Sequence, residues 1–271
     1  MTSNWYWPTP DRKPPTVAIV SLLLTLLVLL LTAPMAGMSY GKLLAAAPRM
    51  LDFAQNLWVM PDWAYLPQLG SKLLETVEMT LVATAIALLL SMPLGILAAK
   101  NASPHPWIYR LTRDLLSFIR ALPELVWALV FVSALGLGPL PGVMALALVT
   151  VGFMGKFIAE SIEVVDSKAV EGLASTGCSK WQSILYAMLP QAVPDFIGSL
   201  LYILDHNLRA ASILGLVGAG GIGYDMVMTM RLFNYERIGM IALSIYLLVT
   251  LLDRLSDMFR QRALGGILNV H

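Results

Sequence analysis

Long runs without a charged residue constrain the fold of this chain more than any other sequence feature. No Asp, Glu, Lys or Arg occurs in residues 14–41, 79–99 or 125–155. A helix needs about 20 predominantly apolar residues to cross a hydrocarbon core of about 30 Å. The sequence therefore predicts an all-α integral membrane protein.

Turn-forming residues divide the apolar sequence into six predicted spans. The Gly136–Gly142 segment, GLGPLPG, has turn chemistry and splits the longest run into two spans. Pro190 and Pro194 are expected to kink the fifth span. The predicted spans cover approximately residues 17–31, 76–99, 115–135, 143–158, 183–204 and 238–252.

Composition and charge agree with a bilayer and argue against several other classes of protein. Hydrophobic residues make up 58% of the chain and charged residues 13%, and the formal net charge of +1 gives no indication of nucleic acid binding. The single cysteine, Cys178, has no partner for an intramolecular disulfide, and the three histidines do not form a metal-binding pattern. No phosphate-binding P-loop sequence occurs, so the sequence offers no ATP-binding motif of that kind.

The distribution of lysine and arginine predicts that both termini are cytoplasmic. Residues 41–74 then form an external segment, in which Trp58, Trp63 and Tyr65 are expected to act as an aromatic anchor at the membrane interface. A cleaved signal peptide is the alternative for the first span, but no clean small-x-small cleavage site follows it.

A polar stretch, EGLASTGCSKWQSILYAMLP, lies between predicted spans four and five. Asp166 or Ser167 can cap a helix there, and Gly177 suits the left-handed residue that ends it. Ser179-Lys-Trp-Gln182 is typical of a capping box, which predicts that a new helix begins at this point. The expected result is a short helix along the cytoplasmic face. An ordinary amphipathic helix resting on lipid headgroups is the alternative interpretation.

This stretch resembles the "EAA" signature of the permease subunits of bacterial ABC importers. Glu171, Gly177 and Leu189-Pro190 match the signature, whereas Gly172-Leu173 replaces the usual Ala-Ala and Ala187 replaces the usual Ile. With RALPELVWALVFVSALGLGPLPGVMAL and NLRAASILGLVGAGGIG, the chain resembles the phosphonate-type branch of these permeases, whose members take up phosphonates, phosphite or hypophosphite.

The resemblance implies a type I importer permease in the bacterial inner membrane, with residues 166–178 as a coupling helix that docks on an ATPase. It also implies an N-terminal tail, first span and external segment in residues 1–70, a transmembrane domain in 71–262 and a C-terminal tail in 263–271.

The implied partners are a second copy of the chain, two cytoplasmic ATPase subunits that hold ATP and Mg, and a periplasmic substrate-binding protein. No cofactor and no enzymatic activity are expected in the chain itself. The implied coupling residues are Glu171, Gly172, Leu173, Ala174, Gly177, Leu189 and Pro190.

Gly218-Ala-Gly-Gly-Ile-Gly223 fits the dinucleotide pattern G-x-G-x-x-G, but the strand and the downstream acid of that fingerprint are missing. The sequence instead predicts that residues 211–223 form a short hairpin or half-helix that lines a cavity and whose N–H groups can face an anion. A simple turn without substrate contact is the alternative.

Several ionisable residues in or beside the spans are candidates for the translocation path. Asp205 and Arg209 stand four residues apart and are expected to pair, with attraction of an anion by Arg209 as the alternative. Arg120 and Glu124 have the same spacing and the same expectation, and the role of Asp195 stays open. His206 is expected to have a structural role, with pH sensing or contact with an oxyanion as the alternative. The candidate path residues are Arg209, Asn207, His206, Gly218, Gly220, Gly221 and Gly223.

The predicted function is ATP-driven import by alternating access. A secondary transporter driven by an ion gradient is the main alternative, but it would favour an inverted repeat and coupling carboxylates at the midplane. An intramembrane enzyme would need a nucleophile with its base or a metal cluster, and the sequence shows neither pattern.

Overall fold

The structure is a computed structural model that describes residues 16–32, 39–56 and 62–268. All regular elements within these ranges are helical. The chain divides into two units, Met1–Asn56 and Leu57–His271. The first contains α1 (Thr16–Thr32) and α2 (Tyr40–Asn56). The second contains α3 (Leu66–Ala98), α4 (Pro106–Ala121), α5 (Glu124–Leu135), α6 (Pro139–Glu163), α7 (Ser167–Ala174), α8 (Lys180–Ser183), α9 (Leu189–Leu214), α10 (Gly221–Arg231) and α11 (Tyr235–Leu268).

The helices of the first unit are each 17 residues long. α1 consists of aliphatic residues and Ser or Thr, and its side chains from Ile19 onward are exposed. At 1.5 Å per residue it extends over roughly 26 Å, slightly less than the usual length of a membrane span. α2 covers part of the predicted external segment, for which the sequence analysis assigned no secondary structure.

The second unit contains four helical segments that are long and apolar enough to cross a membrane. They are Trp63–Ala98, Pro139–Glu163, Lys180–Val217 and Tyr235–Met258. They correspond to predicted spans two, four, five and six. α4 and α5 form a fifth candidate if this bent pair counts as one span. Within the described residues the structure thus confirms an all-α protein with four or five helical segments suited to span a membrane, and the predicted number of six is not confirmed.

The predicted third span is broken between α4 and α5, which meet at an angle of 83°. Pro123 causes the break because its ring disfavours helical geometry in the residue before it, and Leu122 is extended with φ −102° and ψ 135°. The indole N–H of Trp127 donates to the carbonyl of Ile119, 3.1 Å away, across the bend. The bend is therefore a defined structural feature.

α6 is the most buried of the spans and contacts α3, α4, α5 and α9. Small residues allow its neighbours to approach closely. A Cβ atom on Gly95 of α3 would lie 2.6 Å from the side chain of Ile158, and a Cβ atom on Gly155 would lie 2.9 Å from Leu116 of α4. Larger residues at these two positions would push the helices apart.

The two ends of this bundle differ in structure. One end, which we call the α7 end, contains α7 and the ends of α3 and α6. The main-chain N–H of Lys100 donates there to Glu163 (2.7 Å), and Arg113 forms an ion pair with the same carboxylate (3.2 Å). The other end, which we call the glycine end, contains residues 215–221, which pack against the third turn of α3 and the start of α6. α7 and the loop of residues 215–221 were both singled out by the sequence.

Candidate functional site

α7 has the caps that the sequence predicts. The carboxylate of Asp166 accepts from the N–H of Lys168 (3.0 Å) and begins the helix. Three residues after its last helical residue, Gly177 has a left-handed φ of +84°. Ser179 and Gln182 form both hydrogen bonds of a capping box, which begins α8. The local geometry predicted for this segment is therefore confirmed, whereas its role as a coupling helix stays a prediction.

The surface of α7 is open to solvent in this chain. No residue of the helix is buried, and Glu171, Gly172 and Ala174 are exposed, as is Gly177. Leu173 is half-buried and lines an open groove of about 490 Å³ between α7 and the start of the following span. A short helix with so little buried surface derives little stability from packing and depends on its caps.

The other wall of the groove contains a π-helical turn, Ile184–Met188. The N–H of Leu189 donates to the carbonyl of Ile184, five residues back. Pro190 follows directly, and because proline has no N–H it cannot bond to the carbonyl of Tyr186 in a regular α-helix. Leu189 is half-buried and Pro190 is exposed and lines the groove.

Gln191 connects α7 with α9, a role that the sequence analysis missed. Its side-chain amide donates to the carbonyl of Ala187 (2.8 Å), and its Oε1 accepts from the main-chain N–H of Asp166 (3.2 Å). The residue that caps α7 is thus hydrogen-bonded to the first turn of α9. A displacement of α7 relative to α9 requires this bond to break.

At the glycine end, residues 215–217 form a 3₁₀ turn and α10 follows after Gly220. Gly218 is left-handed with φ +83°, and its carbonyl accepts from the N–H of Gly138 (3.0 Å). Gly223 lies against α9, where a Cβ atom would come within 1.9 Å of the carbonyl oxygen of Ser212. The sequence predicted a hairpin or half-helix only within residues 211–223, and it did not predict that α10 continues to Arg231.

The first N–H groups of α10 bond to the chain's own side chains. The N–H of Gly221 donates to Glu75 Oε1 (2.9 Å), and the N–H of Ile222 donates to Thr76 Oγ1 (2.8 Å). The sequence analysis expected N–H groups of this segment to be available to a substrate anion. In the structure a carboxylate of α3 already neutralises the positive end of α10. Gly220, Gly221 and Gly223 are buried.

The predicted ion pair between Asp205 and Arg209 is confirmed. Arg209 also lies 3.8 Å from Asp253 of α11, so two carboxylates surround its guanidinium group. The second predicted pair does not form: no ion pair joins Arg120 and Glu124, because the break at Pro123 places them on different helices. The guanidinium group of Arg120 instead lies over the ring of Phe153, 4.3 Å from its centroid.

The neighbouring path candidates His206 and Asn207 differ in burial and in contacts. Asn207 is buried, and its amide joins three spans by donating to Thr84 and accepting from Thr150, both at 3.0 Å. His206 is half-buried, with its ring 6.0 Å from that of Phe153 and 6.4 Å from that of Tyr202.

Only part of the predicted aromatic anchor has the expected exposure. Trp63 is 70% exposed, whereas Tyr65 is 3% exposed and its hydroxyl donates to Asp225. Arg237 lies over the Tyr65 ring and forms an ion pair with Asp62 (2.8 Å). Tyr65 is therefore part of the core and lacks the exposure expected of an interface anchor. Trp58 lies outside the described residues.

Comparisons with known proteins identify the family. Residues 91–265 match the family described as binding-protein-dependent transport system inner membrane component. The chain is 45% identical to the phosphate-import permease protein PhnE of Mycolicibacterium smegmatis over 69% of its length, and the match spans 35% of that protein. It is 40% identical to the phosphite transport system permease protein PtxC of Stutzerimonas stutzeri, covering 74% of this chain and 73% of the relative.

Among solved structures, the MetNI methionine ABC transporter in an inward-facing conformation matches with a TM-score of 0.65. The match covers 74% of this chain and 99% of that chain at 18% identity, so it establishes the fold alone. The sequence matches confirm the resemblance to phosphonate- and phosphite-type permeases. The chain therefore belongs to the binding-protein-dependent inner membrane components, the permease subunits of ABC importers, a family of multi-pass transport proteins that work with an ATPase and a substrate-binding protein.

Proposed function

We propose that this chain is the permease of an ATP-driven importer that carries a small phosphorus oxyanion, such as phosphonate, phosphite or hypophosphite, across the inner membrane by alternating access. The observation that carries the proposal is the identity of 40% to PtxC, a phosphite transport system permease protein, over most of both chains. Four or five described spans and an exposed, capped α7 are consistent with such a subunit. In the proposed topology α1 is a further span, which makes six, and both termini are cytoplasmic.

In the proposed assembly two copies of the chain work with two ATPase subunits and one external binding protein. α7 is the coupling helix, and Glu171, Gly172, Leu173, Ala174 and Gly177 belong to its contact with the ATPase. Leu189 and Pro190 lie behind it at the π-helical turn and the groove wall. ATP closes the ATPase dimer and draws the two copies of α7 together, the spans tilt to open outward, and the binding protein releases its ligand into the cavity. Hydrolysis then restores the inward-facing state.

Uptake by proteoliposomes that contain the complete transporter tests this function. We expect uptake of labelled phosphite or methylphosphonate to require both ATP inside and the loaded binding protein, and to persist when the proton gradient is collapsed. Uptake that survives without the ATPase and stops with the proton gradient would instead identify a secondary transporter.

A paired variant tests the role of α7. Glu171→Ala is expected to abolish stimulation of the ATPase by the loaded binding protein, because the side chain is exposed and available to a partner. Glu236→Ala is the matched control, since this exposed acid lies in the first turn of α11 at the glycine end. Equal ATPase stimulation in both variants would contradict the coupling role of Glu171.

A further inference from the structure

One face of α9 carries polar side chains along most of the span. Asp195, Ser199, Tyr202, His206 and Arg209 follow one another at alternating intervals of four and three residues, which places them on one face of a helix. All five are exposed or half-buried in this chain, and Tyr202 is 54% exposed. Polar groups that face lipid are costly. This polar face is therefore expected to border water or another protein.

Arg120 adds a cation at the same level of the bundle, and no carboxylate in the described part of the chain lies within ion-pair distance of it. Lys72, Arg113, Arg209 and Arg237, by contrast, each have an acidic partner. The stem of Arg120 lies against Gly152, near the middle of α6, where a Cβ atom would come within 2.9 Å of it. The ring of Phe153 stabilises the guanidinium group by a cation–π contact without neutralising its charge.

Phe153 brings Arg120 and the polar face of α9 together. The Phe153 ring contacts the guanidinium group of Arg120 and the ring of His206, and Tyr202 stacks on His206. A small cavity of about 30 Å³, enough for about one water molecule, lies between Phe153, Tyr202, His206 and Thr150. No hydrogen bond uses the imidazole of His206 or the hydroxyl of Tyr202 within residues 16–32, 39–56 and 62–268.

Among the cations at this level, neither Arg120 nor Lys156 has an ion-pair partner in the described residues, and Arg120 is the one that lies beside Phe153. Toward the glycine end, Arg209 is held between Asp205 and Asp253. Toward the α7 end, Lys156 lies one turn beyond Gly152 and close to both acidic residues and arginines. Glu124, the acid closest to Arg120 in sequence, lies beyond the 83° bend in the first turn of α5, where the helix dipole favours it.

We infer that Arg120, His206 and Tyr202 form a transient binding site for the transported oxyanion in the middle of the membrane. The inference rests on the proposed function and deepens it. A guanidinium group can give two parallel N–H bonds to a tetrahedral oxyanion, and the imidazole and phenol groups supply further donors. A single arginine held by an aromatic ring attracts an anion but does not surround it. Such a site releases its ligand readily, as a transport path requires.

Uptake and ATPase measurements on the reconstituted transporter test the site. Arg120→Gln is expected to lower phosphite uptake about tenfold, while the loaded binding protein still stimulates the ATPase, because α7 is unchanged. Arg120→Lys keeps the charge but loses the two-pronged geometry, so intermediate uptake is expected. Arg110→Gln is the matched control, an exposed arginine of the same helix. Equal uptake by the Arg120→Gln and Arg110→Gln transporters would overturn the inference.

A labelling experiment separates this inference from the choice of substrate. In a Cys178→Ala background, a cysteine replaces Tyr202, and anionic and cationic methanethiosulfonates are compared in the assembled transporter. We expect the Tyr202→Cys thiol to react about tenfold faster with the anionic reagent, and Arg120→Gln to remove this preference. Tyr246→Cys, on the exposed apolar face of α11, is the control and should react slowly with both.

A Tyr202→Cys thiol without charge preference, or one as slow as Tyr246→Cys, would overturn the site whatever the transporter carries. Failure of phosphite uptake in the unmodified transporter would overturn only the proposed function.

Discussion

The α7 end and the glycine end of the bundle both contain glycines with a left-handed φ, but the glycine end also uses glycines for close contact between helices. Gly177 follows α7 with a left-handed φ of +84° and has open space around the position of a Cβ atom. Gly215 and Gly223 have no such φ, but main-chain atoms of neighbouring turns lie within 2.0 Å of the Cβ positions. Gly177 thus shapes an exposed segment that has little packing against the spans, whereas Gly215 and Gly223 hold neighbouring helices in close contact.

The largest expected effect is at the glycine end. Gly223→Ala places a methyl group on the carbonyl oxygen of Ser212, so α9 and α10 must separate. We expect a loss of about 3 kcal/mol or more in the free energy of unfolding, seen as a lower thermal unfolding temperature in detergent. Gly198→Ala is the control, because nothing lies within 4 Å of that Cβ position. Equal unfolding temperatures for the two variants would contradict the close contact.

Two threonines, one at each end, allow a second comparison of the glycine end with the α7 end. Thr76 is fully buried and accepts from the N–H of Ile222 at the glycine end, whereas Thr176 is exposed and bonds to its own turn beside α7. Thr76→Val leaves a buried N–H without an acceptor and is expected to cost about 2 kcal/mol. Thr176→Val should change the free energy of unfolding by less than about 0.5 kcal/mol. Chemical denaturation of both variants checks the difference, and the reverse order would refute it.

At the α7 end, Gly177→Ala is expected to act locally. A left-handed φ costs an alanine about 1 to 2 kcal/mol, which should increase hydrogen exchange in α7 and leave the thermal unfolding of the spans unchanged. Gly172→Ala is the opposite control: it lies within α7 with free space, and alanine should strengthen the helix by about 1 kcal/mol. A drop in global unfolding temperature in the Gly177→Ala protein would show that α7 is not independent.

The smallest expected effect is at the cap of α7. Asp166→Ala removes the acceptor for the N–H of Lys168 and should cost about 1 kcal/mol of local helix stability. Asp166→Asn keeps an oxygen at the same place and should retain most of the cap. Hydrogen exchange of the first turn of α7 measures both variants. Similar exchange in the alanine variant and the parent protein would show that other contacts hold this turn.

The sequence predicted the α7 segment well because short-range rules determine it. Asp166, Gly177 and the Ser179–Gln182 box act over three or four residues, and the structure has each of them in the expected geometry. The apolar runs likewise predicted spans in the correct order. The break at Pro123 was missed because the predicted third span, residues 115–135, was taken to run through it and a proline does not by itself fix the angle between two half-helices.

Contacts between distant residues could not be predicted in the same way. Glu75 meets Gly221 across 146 residues, and Tyr65 meets Asp225 across 160. The i, i+4 rule succeeded for Asp205 and Arg209 within one helix and failed for Arg120 and Glu124, where the helix is interrupted. The partner of Arg120 is an aromatic ring on another span, which only the packing of α4 on α6 reveals.

The hydrogen bond between Glu75 and Gly221 also affects how easily a dissolved anion can bind at the glycine end. A tethered carboxylate has an effective local concentration that can reach the millimolar range or higher, whereas a nutrient anion arrives from dilute solution. Inorganic phosphate or sulfate would have to displace this resident acid before it could occupy the first turn of α10. The chain thus supplies its own competitor for any anion at that turn.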